Sequence, residues 1–484
     1  MIRLSVGILI LCVSANALAQ ARRVPPARTN PAASTAPNTT AETQISPASS
    51  ETAKNGAALY EEANNYAKRK FEDYERRKLP YSEELRQTTQ REQRQLAARY
   101  AAQLAAQNPT GDDLYYLGML QLLATNTDGA GETMKKYLAL NEKDAEKSQT
   151  ARSIAAVTTA RRKSFDEAET FLKEYLKNEP VKVSERILIE SEMAESYIAA
   201  RQTDRAAFHA EAALLAAKPA LSDPASNKRL VKDVYELATK LFEIHAAAGA
   251  NKKADAVLED LRETGALVNQ PDLYWLATDK LVTFLIETGR KPEALQKLKA
   301  SKDGLEAAFR DVGARARVLA LLKKREPHYK LLGEAAPELT ADKWLGETSA
   351  SSLSGLRGKV VLLDFWAHWC EPCYAAFPNL SEMHKTYSGQ GFEIVGVTRY
   401  YGSAEGFGAD ADTEFAFLQK IKRTQRLPYP LAVAKGLVNH NRFSVESLPT
   451  GILIDKKGVI RYISTGSAHA GEEMEKMIKK LLSE

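Results

Sequence analysis

After its first twenty residues the chain has two cysteines, Cys370 and Cys373, three positions apart and just behind the apolar run 360–365. Two cysteines are too few for the disulfide framework of a small secreted domain. A structural zinc site needs about four ligands, and no second cysteine pair or His-x-x-x-His motif accompanies them. We therefore predict no metal site, and we expect the two thiols to react with each other and with partner thiols.

The N-terminus has the features of a secretory signal. Arg3 precedes an apolar run at 4–13, and Ala-Leu-Ala at 17–19 fits a small-x-small cleavage site. The pattern predicts a signal peptide over 1–19 and an exported protein, periplasmic or otherwise extracytoplasmic. An uncleaved anchor, and with it membrane association, stays an alternative. Cys12 would leave with a cleaved signal.

Residues 20–57 are rich in Ala, Pro, Ser and Thr and have almost no large apolar residues. Such a composition cannot bury enough surface to offset the entropy of ordering, so it predicts a disordered linker. From 58 to 325 the composition shifts to Ala, Leu, Lys and Glu, with apolar residues at three- and four-residue spacing. This spacing predicts a helical domain.

The helical region repeats itself. An Ala-containing pattern recurs at Ala130, Ala168, Ala206, Ala254 and Ala294, each time after a short polar or Gly-containing turn. The units resemble tetratricopeptide-like helical hairpins, which implies an α-solenoid whose groove binds a protein partner. An irregular helical bundle is the alternative. A last helix is predicted over 305–324, ending at Glu326-Pro327.

From 326 to 484 short apolar runs alternate with helical patterns. We predict strands at 360–365, 392–397, 429–433, 450–454 and 459–463, and helices at 373–387, 413–426 and 471–482. The predicted fold is thus a helical solenoid followed by an α/β domain.

The Trp-Cys-Glu-Pro-Cys motif between strand and helix, with Ser-Leu-Pro-Thr at 447–450 before a hairpin, resembles the thioredoxin superfamily. Within it, the chain is similar to exported TlpA/ResA-type thiol–disulfide oxidoreductases, on the evidence of Gly-Lys-Val-Val at 358–361 and Ala-Pro at 336–337. The resemblance covers about a third of the chain. It implies a thioredoxin-like fold for this part.

The position of Cys370 at a helix start predicts that it is the nucleophile. Free backbone N–H groups there stabilise a thiolate and lower a cysteine pKa from about 8.5 to roughly 3.5–7.5. Cys373, one turn on, would resolve the mixed disulfide, and no cofactor beyond this redox-active pair is predicted. Pro372 suits a first helical turn, and Glu371 should oppose thiolate formation slightly, which favours a reducing couple.

The other site residues follow from the resemblance. Asp364 matches the acid beneath the thioredoxin dithiol. Burial favours the protonated form of a carboxyl group, which makes the carboxylate a better proton acceptor, so Asp364 can act as general base for Cys373. A structural buried acid is the alternative. Pro449 matches the cis-proline, which leaves the backbone at Leu448 open to a substrate strand. Trp369 is expected to cover the sulfurs and contact substrate.

Two further residues are predicted less directly. His368 is expected to be solvated. The loop 400–408 follows a strand parallel to the one before Cys370, so its aromatic residues could line the substrate approach; a plain flexible connection is the alternative.

The leading functional hypothesis is an exported reductase of protein disulfides. The resemblance implies disulfide-containing envelope proteins such as apocytochromes as substrates, and a membrane thiol electron donor. An oxidase or isomerase, or a scaffold with an accessory redox domain, are the alternatives, and a thiol peroxidase ranks below them. The net charge of +5 is small for 484 residues, and without a basic block no nucleic-acid partner is predicted.

Overall fold

A computed structural model describes residues 55–141, 144–222, 228–346 and 352–484. The predicted signal peptide and nearly all of the predicted linker lie outside this part of the chain. The first helix begins at Gly56, two residues before the predicted boundary. No helix within these ranges is long and apolar enough to cross a membrane.

The N-terminal region is a succession of helices. Their bounds are α1 Gly56–Asn64, α2 Tyr66–Arg76, α3 Glu83–Ala105, α4 Asp112–Leu123, α5 Thr127–Ala139, α6 Ala145–Arg161, α7 Phe165–Lys177, α8 Val183–Ala199, α9 Thr203–Ala217, α10 Lys228–Ala247, α11 Asn251–Leu267, α12 Pro271–Glu287, α13 Lys291–Asp303, α14 Leu305–Ala308 and α15 Val312–Leu331. Several begin with a side-chain cap, such as Asn126, whose Oδ1 accepts from the N–H of Gly129 at 3.0 Å.

The repeating alanines occupy equivalent places. Each is the fourth residue of the second helix of a pair (α5, α7, α9, α11 and α13), and all are fully buried. Two residues before each of these helices the backbone has a positive φ, at Thr125, Lys163, Arg201, Gly249 and Gly289. The left-handed turn is therefore the shared feature, and glycine supplies it in only two of these turns. The helical repeat is confirmed, while its tetratricopeptide-like identity stays a prediction.

The prediction of a last helix over 305–324, ending at Glu326-Pro327, was wrong at both ends. The short α14 precedes it, and α15 continues through Pro327 to Leu331. Proline usually ends a helix because it lacks an N–H and crowds the preceding turn. Here the residues beyond it, His328 and Tyr329, are buried and hydrogen-bonded, and this packing carries the helix on. The predicted boundary at 325/326 thus falls inside α15.

The C-terminal part has strands and helices in the predicted order. The strands are β1 Lys343–Leu345, β2 Val360–Phe365, β3 Phe392–Arg399, β4 Ser403–Ala404, β5 Phe407–Gly408, β6 Leu431–Ala434, β7 Thr450–Ile454 and β8 Ile460–Thr465. The helices are α16 Glu371–Tyr387, α17 Ala411–Thr424, α18 Val438–Arg442 and α19 Glu472–Ser483. The sequence missed β1, β4, β5 and α18, all of five residues or fewer.

Six strands form one mixed sheet in the order β1-β6-β3-β2-β7-β8. β2 lies centrally, parallel to β3 and antiparallel to β7, and β7 pairs with β8 as the predicted hairpin. β2 pairs on both sides, and its six residues are all buried. This is why its sequence is apolar at every position except Asp364. This is the thioredoxin-like arrangement that the resemblance implied.

The sheet packs against the helical region. Val361, Leu363 and Phe365 of β2 share one buried apolar cluster with residues of α12, α13 and α15. Two polar contacts fix the seam: Arg325 Nη2 donates to the carbonyl of Ile463 at 3.0 Å, and His328 Nε2 donates to the carbonyl of Ser444 at 2.9 Å.

Candidate active site

The two cysteines lie at the start of α16. Cys370 is the N-cap residue, with extended backbone, and the N–H of Cys373 donates to the Cys370 carbonyl at 3.0 Å. They are joined as a disulfide with their Cα atoms 5.3 Å apart. Cys370 is 4% and Cys373 1% exposed. Upon reduction the sulfur of Cys370 would lie at the positive end of the helix dipole, where a thiolate is favoured.

The residues between the cysteines form the first turn of α16. Glu371 is exposed, and Pro372 stands where a helix has no use for a backbone N–H. That Glu371 and Pro372 influence the reduction potential of the cysteine pair stays a prediction.

Asp364 lies on the same sheet face as the cysteines. Two positions away along the chain, Leu362 in β2 and Trp366 just after it belong to the buried cluster that contains Cys370 and Cys373. Because side chains alternate along a strand, Asp364 points to this face as well. The carboxyl group is 1% exposed, which agrees with the predicted position beneath the dithiol.

The partner of Asp364 is a histidine that the sequence did not single out. His469 is fully buried, and its Nε2 lies 3.1 Å from Asp364 Oδ1. Opposite Asp364 in the sheet stands Gly451, where a Cβ would come 3.3 Å from that of His469. Because Gly451 has no side chain, the imidazole of His469 has room beside the carboxyl group of Asp364.

The tautomer of His469 follows from its other contact. Nδ1 lies 3.1 Å from the carbonyl oxygen of Gly466. A carbonyl only accepts, so Nδ1 carries a proton and Nε2 of the neutral ring is an acceptor. The contact with Asp364 then needs one further proton, held between Oδ1 and Nε2. The other oxygen, Asp364 Oδ2, is buried without a hydrogen-bond partner among the described residues.

The Leu448–Pro449 peptide bond is cis, as expected from the resemblance. The carbonyl of Pro449 accepts from the N–H of Gly466 at 2.8 Å, and the Gly466 carbonyl in turn accepts from His469. Hydrogen bonds therefore link the predicted substrate-facing segment to the imidazole and to Asp364.

Trp369 stands beside the dithiol and is 60% exposed. Its ring meets Tyr401 edge to face, with centroids 5.5 Å apart. The loop that carries Tyr401 is held in place, because the buried carboxylate of Glu414 accepts from the N–H groups of Tyr401 and Gly402 at 2.7 and 2.8 Å. An aromatic residue of this loop thus reaches the active-site edge. Phe407, in contrast, is exposed at the tip of the hairpin.

The expectation that His368 is solvated was wrong. Its side chain is buried between the rings of Tyr401 and Phe417, with Nε2 3.4 Å from Glu414 Oε1. Burial lowers the pKa of His368, the neighbouring carboxylate acting against this effect. The loop folds over His368, and this covering was not visible in the sequence.

Two residues important for this geometry were missed. His469 lies 105 positions from Asp364, and Glu414 is one of several acidic residues in a helix start. For His469, the one available signal was a histidine just after the last strand. Nothing in the sequence distinguished Glu414.

The fold and the dithiol at a helix N-terminus define a thioredoxin-like thiol–disulfide oxidoreductase domain. Residues 332–463 match the AhpC/TSA family. The thiol–disulfide oxidoreductase ResA of Bacillus cereus is 34% identical over 27% of this chain and 66% of its own length. The thioredoxin-like protein YneN of Bacillus subtilis is 32% identical over 30% of this chain and 78% of its own length.

Through this domain the chain belongs to the AhpC/TSA family, beside ResA- and YneN-like thiol–disulfide oxidoreductases. Among solved structures, a Chlorobium tepidum protein described provisionally as thiol:disulfide interchange protein DsbE is 30% identical. The match covers 31% of this chain and 97% of that chain, with a TM-score of 0.26.

Proposed function

We propose that the protein is an exported reductase of disulfides in envelope proteins. The observation that carries the proposal is the Cys370–Cys373 disulfide between two different surroundings. On one side is the exposed ring of Trp369, and on the other is the buried pair of Asp364 and His469. The first suits contact with a polypeptide, and the second suits control of a proton.

In the proposed reaction the reduced pair carries the electrons. The Cys370 thiolate attacks one sulfur of the substrate disulfide; that bond breaks, a mixed disulfide forms, and the first substrate thiolate leaves and takes a proton. The Cys373 thiolate then attacks the sulfur of Cys370 and releases the second substrate thiolate. The substrate gains two electrons, and the enzyme ends with the disulfide that the structure contains.

The second step needs the proton of Cys373. Asp364 Oδ2 has no partner among the described residues, so it is free to accept this proton, while Oδ1 shares one with His469 Nε2. In this step the imidazole keeps the shared proton on Nε2, so that Asp364 is a carboxylate when its Oδ2 takes up the proton of Cys373. His469 is therefore a positioning residue in the proposal, and Asp364 the general base.

The remaining parts of the proposal rest on the resemblance and on the names of the relatives. A reductase in an oxidising compartment needs a thiol electron donor, for which a membrane protein is proposed, and apocytochromes are candidate substrates. The helical region is proposed to select the protein partner. The same cysteine pair could instead act in an oxidase or an isomerase, because reductases, oxidases and isomerases share this fold and these cysteines.

The reduction potential of the pair tests the direction. We expect equilibration with glutathione or dithiothreitol buffers to give a value near thioredoxin's, roughly −270 mV. A value near about −120 mV would make the protein a donor of disulfides and overturn the proposal. A pair that does not cycle would favour the scaffold alternative.

Capture of partners tests the substrate class. Cys373→Ser should hold substrates as mixed disulfides on Cys370, and Cys370→Ser, as the matched control, should hold none. Envelope proteins retained on the first variant alone would support the proposal. If the Cys370→Ser chain fully replaces the natural one in the cell, the redox chemistry is not its function.

A further inference from the structure

A pocket opens beside the dithiol. It has a volume of about 270 Å³, and Trp369 and Leu448, both predicted to contact substrate, line one side of it. Arg399, Tyr401 and His440 line another part, and Glu446 belongs to the lining as an exposed residue. A substrate chain lying along Trp369 would therefore place a neighbouring side chain within reach of these polar groups.

Arg399 has a fixed place in the pocket wall. It is the last residue of β3, and its guanidinium carbon lies 3.9 Å from the ring centroid of Tyr401, which itself contacts Trp369. Nη1 donates to the carbonyl of Tyr400 at 3.2 Å. Stacking on an aromatic ring limits the motion of the guanidinium, so its orientation toward a ligand is set in advance.

This arginine forms no ion pair with a carboxylate of the described chain, whereas Arg325, at the seam, pairs with Asp279 at 3.0 Å. Arg399 is half-buried. A charge that is partly removed from water without a counter-charge costs free energy, and a ligand of opposite charge would offset this cost.

Two polar atoms of the pocket residues, Arg399 Nε and His440 Nε2, are buried without a hydrogen-bond partner among the residues that the structure describes. His440 is more than nine-tenths buried. Unpaired buried polar atoms are uncommon in folded proteins, and a group of them around one pocket indicates a polar ligand.

We propose that this pocket binds a carboxylate of the substrate polypeptide, an acidic side chain close to the cysteine that Cys370 attacks. The guanidinium would donate to both carboxylate oxygens in the fork geometry that arginine offers. The inference rests on the proposed function and specifies its substrate class: disulfides with an acidic neighbour.

The charges around Arg399 agree with this preference. Burial, together with the positive charge of Arg399, lowers the pKa of His440 to about 4, so that the imidazole is neutral near pH 7. Arg399 is then the positive group of the lining, and Glu446 the negative one. Glu446 would repel a carboxylate ligand, so removing its charge should strengthen the interaction.

The test compares matched substrates. Three cyclic peptides, each closed by one disulfide and differing only in a Glu, Gln or Lys next to a cysteine, are reduced by the full chain. We expect kcat/KM for the Glu peptide to exceed that for the Gln peptide by about tenfold, the effect of a good charge-assisted contact, with Lys the poorest. Arg399→Gln should bring the Glu and Gln peptides to the same value.

Two variants sharpen the result. Glu446→Gln should increase the preference for Glu, and Arg423→Gln, which removes an exposed arginine of α17 outside the pocket, should leave it unchanged. Reduction of a small neutral disulfide such as hydroxyethyl disulfide by Arg423→Gln should match the wild-type rate, and circular dichroism shows that all variants are folded. A wild-type preference that survives in Arg399→Gln, or no preference at all, overturns the subsite.

Binding separates this inference from the proposed function. Fluorescence anisotropy of labelled linear peptides is measured with the Cys370→Ser/Cys373→Ser chain, with and without Arg399→Gln. If the wild-type chain reduces none of the peptides but the double variant binds the Glu peptide through Arg399, the proposed reductase function fails and the subsite stands. Equal binding of all three peptides rejects the subsite whatever the redox activity.

Discussion

The two faces of the six-stranded sheet are covered in different ways. One face carries the dithiol and Asp364, and α16 and α19 of the same domain lie over it. The other face carries Val361, Leu363 and Phe365 and packs into an apolar cluster shared with the helical region. The same strand thus serves chemistry on one side and attachment on the other, because its side chains alternate.

The two faces therefore contain different kinds of side chain. The chemical face keeps a buried carboxyl group and a buried imidazole next to the sulfurs. The attached face packs mainly through apolar side chains, and beside them Arg325 and His328 reach backbone carbonyls across the seam. Disturbing one face should therefore leave the other largely unaffected, and the following predictions test this.

The largest effect is expected from the buried pair. Asp364→Asn and His469→Gln should each slow release of the mixed disulfide by about a hundredfold, because general base catalysis contributes at least this much. The first attack by Cys370 should change little. Rapid-mixing kinetics over a range of pH separates the two steps, and the pH profile of release should lose its inflection.

A second imidazole–carboxylate pair provides the control. His384 Nε2 lies 3.0 Å from Glu393 Oε1 in the same domain, at the other end of α16. His384→Gln should leave the pH profile of release unchanged. An equal loss in both histidine variants would mean that His469 acts through stability alone.

A substitution at the seam with the helical region should lower the free energy of unfolding and leave the attack rate of Cys370 unchanged. Arg325→Met removes the pair with Asp279 and the contact to the Ile463 carbonyl. Loss of such a buried interaction is expected to lower the free energy of unfolding by about 3 kcal/mol. Denaturant unfolding measures this, while the attack rate of Cys370 on a small disulfide should stay at the wild-type value. A parallel drop in attack rate would show that the two faces are coupled.

An effect of similar size is expected from His440, whose ring meets Phe365 of the attached face with centroids 5.4 Å apart. Its pKa of about 4 in the folded chain lies below the ordinary 6.5. The unfolded chain therefore binds the proton first, and stability falls as the pH drops from 6.5 to 4. His440→Gln should remove about 3 kcal/mol of this pH dependence. Urea unfolding at several pH values checks it, and equal slopes would contradict it.

The smallest effect is expected from an exposed ion pair across the seam. Lys476 Nζ lies 2.9 Å from Glu243 Oε1, and both side chains are about half exposed. Such pairs contribute little because water and salt screen them, so Lys476→Ala should change the free energy of unfolding by less than about 1 kcal/mol. A larger loss would show that the seam depends on charge as well as on apolar packing.

Much of the fold could be predicted because its signals are local. The apolar run of β2 and the predicted strand of β7 match the observed bounds, and the fully buried Ala130 and Ala168 had already marked the helix pairs. The placement of Cys370 and Cys373 followed from the motif, and that of Asp364 from the resemblance to thioredoxins. These are features of short segments, and a sequence displays them directly.

The remainder depends on contacts between distant parts of the chain. His469 meets Asp364 across 105 positions, and Glu414 holds a loop that starts 14 residues earlier. α15 passes Pro327 because of packing against the sheet, which no local preference encodes. Each of these outcomes is set by tertiary contacts that override local propensity.

α15 also bears on how such a protein can arise. The segment that matches the family begins at residue 332, directly after this helix ends. Yet residues of α15 belong to the apolar cluster under the sheet, so a segment without them would leave that face open to water. A redox domain joined to another helical array would lose this cover unless α15 came with it. In this chain the packed unit is therefore longer than the segment that matches the family.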